Sequence, residues 1–338
     1  MRNLSQAKFS FVTRGLGSRA LTVANARRQP AQGDLVVARV EMVGQHGYLE
    51  DRHGRRARLH TGDLVVGAYG NRYATDFYEG YVPAGPRTHL LTAGGVIGTV
   101  ASSHVRRGEP TALEVIGALA DGSGAPLTLA GLARPLPPAA DPRPVTVAVV
   151  GSAMNAGKTT TVAGVIRGWA RAGLRVGAGK VTGSGSGKDH WVYVDAGAQS
   201  VVDFLDFGMP STFGYPADRL VATMHAIRDA LAAEGATHVV VEIADGLLQA
   251  QTRELLAALP AFADAVLLAV SDALGAVGAQ GVLACAGVGV GVGALSGLVS
   301  ASPLAAREAA DATGLRVLTP DELAAGAALD IVRSPQWA

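Results

Sequence analysis

Cysteine is all but missing from this chain. The single Cys285 in 338 residues excludes an intrachain disulfide and a cysteine-rich metal site, and a reducing compartment fits. Its Ala/Gly/Val-rich surroundings predict a buried filler rather than a reactive thiol. Aromatic residues are also scarce, at 5% against 49% hydrophobic, so the core must be built mostly of Ala, Val and Leu. Net charge is only +1, which gives no global attraction for nucleic acid. No uninterrupted apolar run reaches the roughly 18 residues of a membrane span; Leu283 to Val299 comes nearest and is broken by glycines. The first 33 residues hold six Arg/Lys and no acid, without the apolar h-region of a secretory signal. A solvated basic arm or an edge of a first domain is expected there, with a transit peptide the lesser alternative, and the cytoplasm is the default location.

Proline, by contrast, is concentrated. Leu132 to Pro144 holds five prolines in thirteen residues, a stiff, extended stretch unable to continue a helix or a central strand. It predicts a linker at 132–144 between a domain at 1–131 and another at 145–338. Upstream, Asp34 to Val43 alternates, with Val36, Ala38, Val40 and Met42 on one face and Arg39 and Glu41 on the other. Gly33-Asp-Leu-Val-Val is echoed at Gly62-Asp-Leu-Val-Val. These patterns predict a small β-rich domain, a barrel or a sandwich, for substrate or partner recognition. Downstream, strand-like runs at Val145–Val150, Arg175–Gly179, His238–Glu242, Ala265–Val270, Ala294–Val299 and Leu315–Leu318 alternate with helical segments. Of these helices, Ala217–Glu234 is the clearest, with Leu220, Met224, Ile227 and Leu231 at steps of 4, 3 and 4. The expected fold class is α/β: a mostly parallel sheet with helices on both faces, preceded by the small β-rich domain.

Between the first downstream strand and its helix stands Gly151-Ser-Ala-Met-Asn-Ala-Gly-Lys-Thr159, which fits G-x-x-x-x-G-K-[ST]. A strand, a glycine-rich turn and a helix in that order make a phosphate-binding loop. The curled main chain points N–H groups inward, and the helix adds its positive dipole end. The loop residues Asn155, Ala156, Gly157, Lys158, Thr159 and Thr160 are expected to hold the phosphates of a nucleotide, with Lys158 on the terminal groups and the Thr159 hydroxyl on Mg²⁺. No Asn-Lys-x-Asp guanine-reading motif occurs in the chain, which favours ATP.

Three segments resemble the dethiobiotin synthetase-like branch of the P-loop NTPases, in the SIMIBI class that also holds the MinD-type ATPases. They are Asn155-Ala-Gly-Lys-Thr-Thr160, Val176-Gly-Ala-Gly-Lys-Val-Thr-Gly183 and Val240-Val-Glu-Ile-Ala-Asp-Gly246. The resemblance spans roughly residues 145–320 and excludes the N-terminal domain. It implies that Lys180 contacts phosphate and that Glu242 binds Mg²⁺. It also suggests, by analogy of position, that Ser300 abuts the base. Val181 departs from the family's proline, and Ile243-Ala-Asp245-Gly from its glycine-rich turn.

An acid directly after an apolar strand, as Glu242 is, suits a metal ligand at the sheet's carboxyl edge. The Gly/Ser-rich stretch from Thr182 to Asp195 reads as a mobile loop able to close over a substrate. Within it Asp189 is a candidate second Mg²⁺ ligand or base, and Asp195 competes for that role. Asp203 and Asp206 sit in an apolar segment and are candidates to line an acceptor pocket, as is Asp245. Tyr69 to Tyr81 holds four of seven tyrosines among Asn, Arg and Asp. Arg72 and Tyr73 are its candidate ligand contacts, and a domain-interface patch is the alternative.

The leading expectation is an ATP-dependent kinase moving the γ-phosphoryl group of Mg·ATP onto a hydroxyl of a small molecule, with a nucleoside or sugar as candidate acceptors and Lys158, Lys180, Asp189 and Glu242 as catalytic residues. The runner-up is an ATP-dependent ligase or cyclase working through an acyl- or carbamoyl-phosphate. The third reading is a nucleotide-switched binding ATPase that dimerises with ATP. Ser152 and Ala153 replace the signature lysine of MinD-type proteins, which weighs against it.

Overall fold

The computed structural model describes residues 4–25, 29–288 and 291–333. The chain divides into two compact units. The first contains the residues up to Pro135 together with two short segments from later in the chain, Ser184–Lys188 and Phe204–Gly214; the second contains the rest.

The first unit is built from ten strands: β1 (Lys8–Phe9), β2 (Leu21–Ala24), β3 (Leu35–Met42), β4 (Tyr48–Glu50), β5 (Arg56–Arg58), β6 (Leu64–Tyr69), β7 (Tyr78–Tyr81), β8 (Arg87–Leu90), β9 (Val96–Ser103) and β10 (Ala112–Asp121). β6 pairs with β3, β3 with β10, β10 with β8, β8 with β9, and β9 returns to β6. The ring closes as a barrel, so these strands leave no unpaired edge. Val36, Ala38, Val40, Val65, Leu90, Ile97 and Leu113 fill it, while Arg39 and Glu41 face solvent as the alternation in β3 requires. Met42, on the predicted inner face, is exposed at the strand's end. The echoed Gly33 and Gly62 segments lead into β3 and β6, which pair directly. β7 lies outside the ring as an edge strand on β9.

The second unit holds six parallel strands, β11 (Val145–Gly151), β12 (Val176–Lys180), β13 (Ser200–Asp203), β14 (His238–Glu242), β15 (Ala265–Ala269) and β16 (Val292–Ser296). Their order is β13-β12-β14-β11-β15-β16. Among the described residues nine helices accompany them: α1 (Lys158–Arg171), α2 (Gly187–Ala196), α3 (Ala217–Ala233), α4 (Ala250–Leu256), α5 (Leu259–Phe262), α6 (Ala273–Cys285), α7 (Pro303–Thr313), α8 (Pro320–Ala324) and α9 (Ala327–Arg333). Val162, Val165, Ile166 and Trp169 line one stripe of α1 and pack with Val147, Val149, Ala178 and Val240 on one sheet face. Trp169 is fully buried, and its loss would cost about 3–5 kcal/mol. α3 covers the other face with Leu220, Met224, Ile227 and Leu231 all buried, the stripe its spacing predicts.

Three expectations fail here. Leu315–Leu318 forms no strand, because only Val317 bridges to Leu295. The predicted strand at 294–299 ends at Ser296, since Gly297 turns the chain with φ 91°. Cys285 is exposed: α6 packs through Ala276, Ala279 and Leu283, and Cys285 projects off that stripe.

Candidate functional site

β11 ends in Gly151 and the chain curls through Ser152–Gly157 before α1 begins. Asn155 (φ 63°) and Gly157 (φ 100°) adopt left-handed backbone conformations, the kind of turn that gathers N–H groups into an anion-binding nest. Gly151 has no side chain, and a Cβ there would stand 2.8 Å from Lys158 Cγ. The lysine's stem crosses that space. Its ammonium donates to the carbonyls of Ala153 (2.8 Å) and Asp245. Lys158 is buried, and burial, first among the causes, lowers its pKa.

The loop is braced from behind. A Cβ on Gly157 would meet Gly297 Cα at 2.7 Å, and one on Gly297 would meet the Ala156 carbonyl at 2.1 Å. Leu298 N–H donates to that same carbonyl (3.0 Å). Two glycines, one in the P-loop and one after the last strand, thus let two backbones touch.

Five more side chains converge at the carboxyl ends of the strands. The register sets Lys180 level with Glu242 on one neighbouring strand and with Asp203 on the other. Lys180 pairs with Asp189, and with Glu242 Oε1 at 3.3 Å. Thr159 Oγ1 lies 2.9 Å from Glu242 Oε2 and 3.4 Å from Asp189 Oδ1. Tyr193, fully buried, donates its phenol to Glu242 Oε2 at 2.5 Å. Burial opposes the charge on Lys180, but Asp189 and then Glu242 overcome it, so its pKa rises above the ordinary lysine value. Burial first, and then Glu242, push the Tyr193 phenol well up, so it stays a donor.

Asp189 reaches this cluster because residues 187–196 are a helix, not the mobile loop predicted from the glycines and serines. The buried carboxylate of Glu50 accepts from Gly187 N–H (2.7 Å) and the Ser186 hydroxyl (3.0 Å), holding the start of α2 within the first unit. Tyr193, one turn beyond Asp189, shares its face; Asp195 points to solvent. Asp203 is buried at the end of β13, whereas Asp206 belongs to the first unit and pairs with Arg14 (3.0 Å). Asp245 offers its carbonyl to Lys158. Thr160 is exposed on α1, and Ser300 bonds the Gly297 carbonyl (2.7 Å). In the first unit, Arg72 donates to the Leu91 carbonyl and stacks 4.5 Å from the Phe77 ring, while Tyr73 lies 5.3 Å from the ring of Phe213. Sequence reasoning missed Tyr193; its place four residues after Asp189 on a helix was the available signal.

No family profile and no curated protein matches the chain. Solved structures do resemble it. The signal recognition particle 54 kDa protein of Aeropyrum pernix K1, in complex with GDP, is 21% identical with a TM-score of 0.37. The match covers 58% of this chain and 47% of that one. The chloroplast FtsY of Physcomitrella patens is 17% identical with a TM-score of 0.38, over 58% and 67%. The signal recognition particle receptor FtsY of Elizabethkingia anophelis is 19% identical with a TM-score of 0.33, over 57% and 55%. The chain spans about half the length of the first of these. The second unit is a parallel α/β sheet flanked by helices, with the P-loop sequence between its first strand and α1. The expectation of a small-molecule kinase, with a ligase behind it, is corrected here: these neighbours are signal recognition particle and receptor proteins, and none is named as a kinase or a ligase. Among the described residues, no helix is long and apolar enough to cross a membrane.

Proposed function

We propose that the chain is a nucleotide-switched binding NTPase, in which the P-loop unit takes up a Mg²⁺–nucleoside triphosphate and the barrel unit recognises a partner. The observation that carries it is the Thr159 hydroxyl set between two carboxylates, Glu242 and Asp189, at the mouth of a P-loop. The donor set suits the metal. Mg²⁺ favours hard oxygen ligands and is held by one or two carboxylates beside substrate phosphates; Thr159 and Glu242 would hold it, with Asp189 in reach. The space left at Gly151 for the Lys158 stem fits a lysine that swings between loop carbonyls and a phosphate. A bound Mg²⁺ would supply charge neutralisation on the phosphate oxygens.

The chain's own residues do the rest. Lys158 and Lys180 bring two ammonium groups to the phosphates, and Lys180 must then loosen its pair with Asp189 to share its charge. That exchange gives the site two arrangements, one for each nucleotide state, as a switch requires. The segment Gly297–Ser302, which touches the P-loop at Ala156, carries no carboxylate to pair with a guanine edge, so the reading favours ATP. It does not depend on the MinD-type or dethiobiotin synthetase-like branch in particular. ATP-dependent dimerisation belongs to the same reading.

The test is direct. Purified full-length chain in magnesium buffer is titrated with fluorescent ATP and GTP, and free phosphate, metabolite phosphorylation and oligomeric state are followed. The reading expects ATP binding, slow phosphate release on the order of 10⁻³–10⁻² per second and no phosphorylated metabolite. Absence of affinity for either triphosphate sinks it.

A further inference from the structure

The segment Tyr69–Tyr81 is not used by the P-loop site, yet it helps shape a pocket of about 260 Å³ in the first unit, lined by Tyr73, Thr75, Phe77, Glu79, Ser102 and His104 among others. We propose that this pocket binds the cationic head of a basic side chain, a lysine ammonium or an arginine guanidinium, presented by a polypeptide partner. The inference rests on the switch reading for its purpose, since it names the chemistry of the partner being recognised.

Glu79 supplies the charge of the pocket. It lies on the edge strand β7 opposite Ser102 of β9. Its Oε1 accepts from the Tyr81 hydroxyl (2.6 Å) and its Oε2 from the Ser102 hydroxyl (2.7 Å). Those two hydrogen bonds, Tyr81 first, hold the carboxylate's pKa below its ordinary value. The group is therefore fixed in place and ionised, and among the described residues no lysine or arginine pairs with it. Two arginines of the neighbourhood are engaged elsewhere. Arg107 stacks 4.4 Å from the Phe77 ring centroid and pairs with Asp76 at 3.6 Å, and Arg72 is bonded to the Leu91 carbonyl.

Tyr73 lines the same pocket as Glu79, Tyr81 is tied to the carboxylate through its hydroxyl, and ring faces attract cations. A fixed carboxylate repels an anionic ligand and, beside aromatic surface, suits an ammonium or a guanidinium. Size points to a side chain rather than a whole metabolite, because pockets for drug-sized ligands run to about 300–1,000 Å³. The rim agrees: Val105, next to His104, is 95% exposed and Tyr81 41% exposed, leaving apolar surface for the backbone and neighbours of the inserted residue.

The experiment is calorimetric titration of the full chain with tri-lysine peptide, with tri-glutamate and glucose as competing probes. Net charge near zero keeps unspecific attraction of the peptide small. Tri-lysine is expected to bind saturably, E79Q to weaken it at least tenfold, and S102A, which keeps the charge, to weaken it only a few fold. Nucleotide affinity and the thermal melt should be unchanged in both variants, the melt establishing that the barrel unit is folded. Equal tri-lysine affinity in E79Q, equal binding of tri-glutamate or glucose, or no saturable binding at all overturns the proposal. Loss of nucleotide binding in the parent protein would sink the switch reading and leave this result standing.

Discussion

The phenol of Tyr193 donates to Oε2 of Glu242 at 2.5 Å, and the Thr159 hydroxyl meets that same oxygen at 2.9 Å. Tyr193 thereby fixes which way the carboxylate faces. Tyr193→Phe removes one buried hydrogen bond to a charged group, worth about 1.5–3 kcal/mol, while keeping the ring that packs in the core. The magnesium concentration needed for half-maximal nucleotide binding should rise roughly tenfold, with the melting temperature falling little. A variant with unchanged magnesium dependence would show that Tyr193 only fills space.

Lys158→Ala should weaken nucleotide affinity about a hundredfold, because the ammonium is the loop's own charge. Glu242→Gln keeps the size and loses the charge. It should spare binding but slow phosphate release about a hundredfold. Equilibrium titration and a phosphate-release assay separate the two, and normal turnover in the glutamine variant would remove Glu242 from the metal site.

The braced backbone behind the loop makes a paired prediction. Gly297→Ala places a Cβ 2.1 Å from the Ala156 carbonyl at a left-handed φ, so the P-loop must deform. Stability should fall by about 2–3 kcal/mol, and nucleotide affinity should fall with it. Gly281→Ala on α6 meets nothing within 4 Å and should stabilise by up to about 1 kcal/mol. Thermal melts of both variants check the contrast.

Acid should loosen the barrel unit through His46. Burial first, then the Arg72 guanidinium, lower its pKa to about 4, and burial also leads the lowering at His89, His225 and His238. A depressed histidine favours the neutral form in the folded state, so the unfolded chain binds more protons below about pH 6.5. Stability is then fully present above pH 6.5 and is lost as pH falls toward 4. Chemical denaturation across that range should show the decline, and His46→Gln should flatten it by on the order of 1–2 kcal/mol. A flat profile in the parent protein would contradict this account.

Much of the second unit was legible because its signals are local. The P-loop, the helical stripe of α3 and the acid closing β14 are each written within a few consecutive residues. Other features depend on partners far along the chain. Residues 182–195 read as a mobile loop since Gly and Ser disfavour helix, and the carboxylate that caps α2 comes from Glu50, more than a hundred positions earlier. For the same reason Asp189 and Asp195 could not be separated until the helix fixed which one faces Lys180. Cys285 misled because an apolar surrounding sequence does not say which side of a helix is covered. The kinase expectation failed differently: the lysines and carboxylates around a triphosphate are common to transfer and hydrolysis, and no residue pattern named an acceptor.

Ser184–Lys188 and Phe204–Gly214 leave the P-loop sequence and are built into the barrel unit. A cut at the proline-rich stretch would therefore separate residues that belong to one compact unit. The front fragment would lack two of its own pieces, and the rear fragment would carry them as orphans with no place to fold. Swapping the barrel for another would accordingly mean grafting three stretches of chain together.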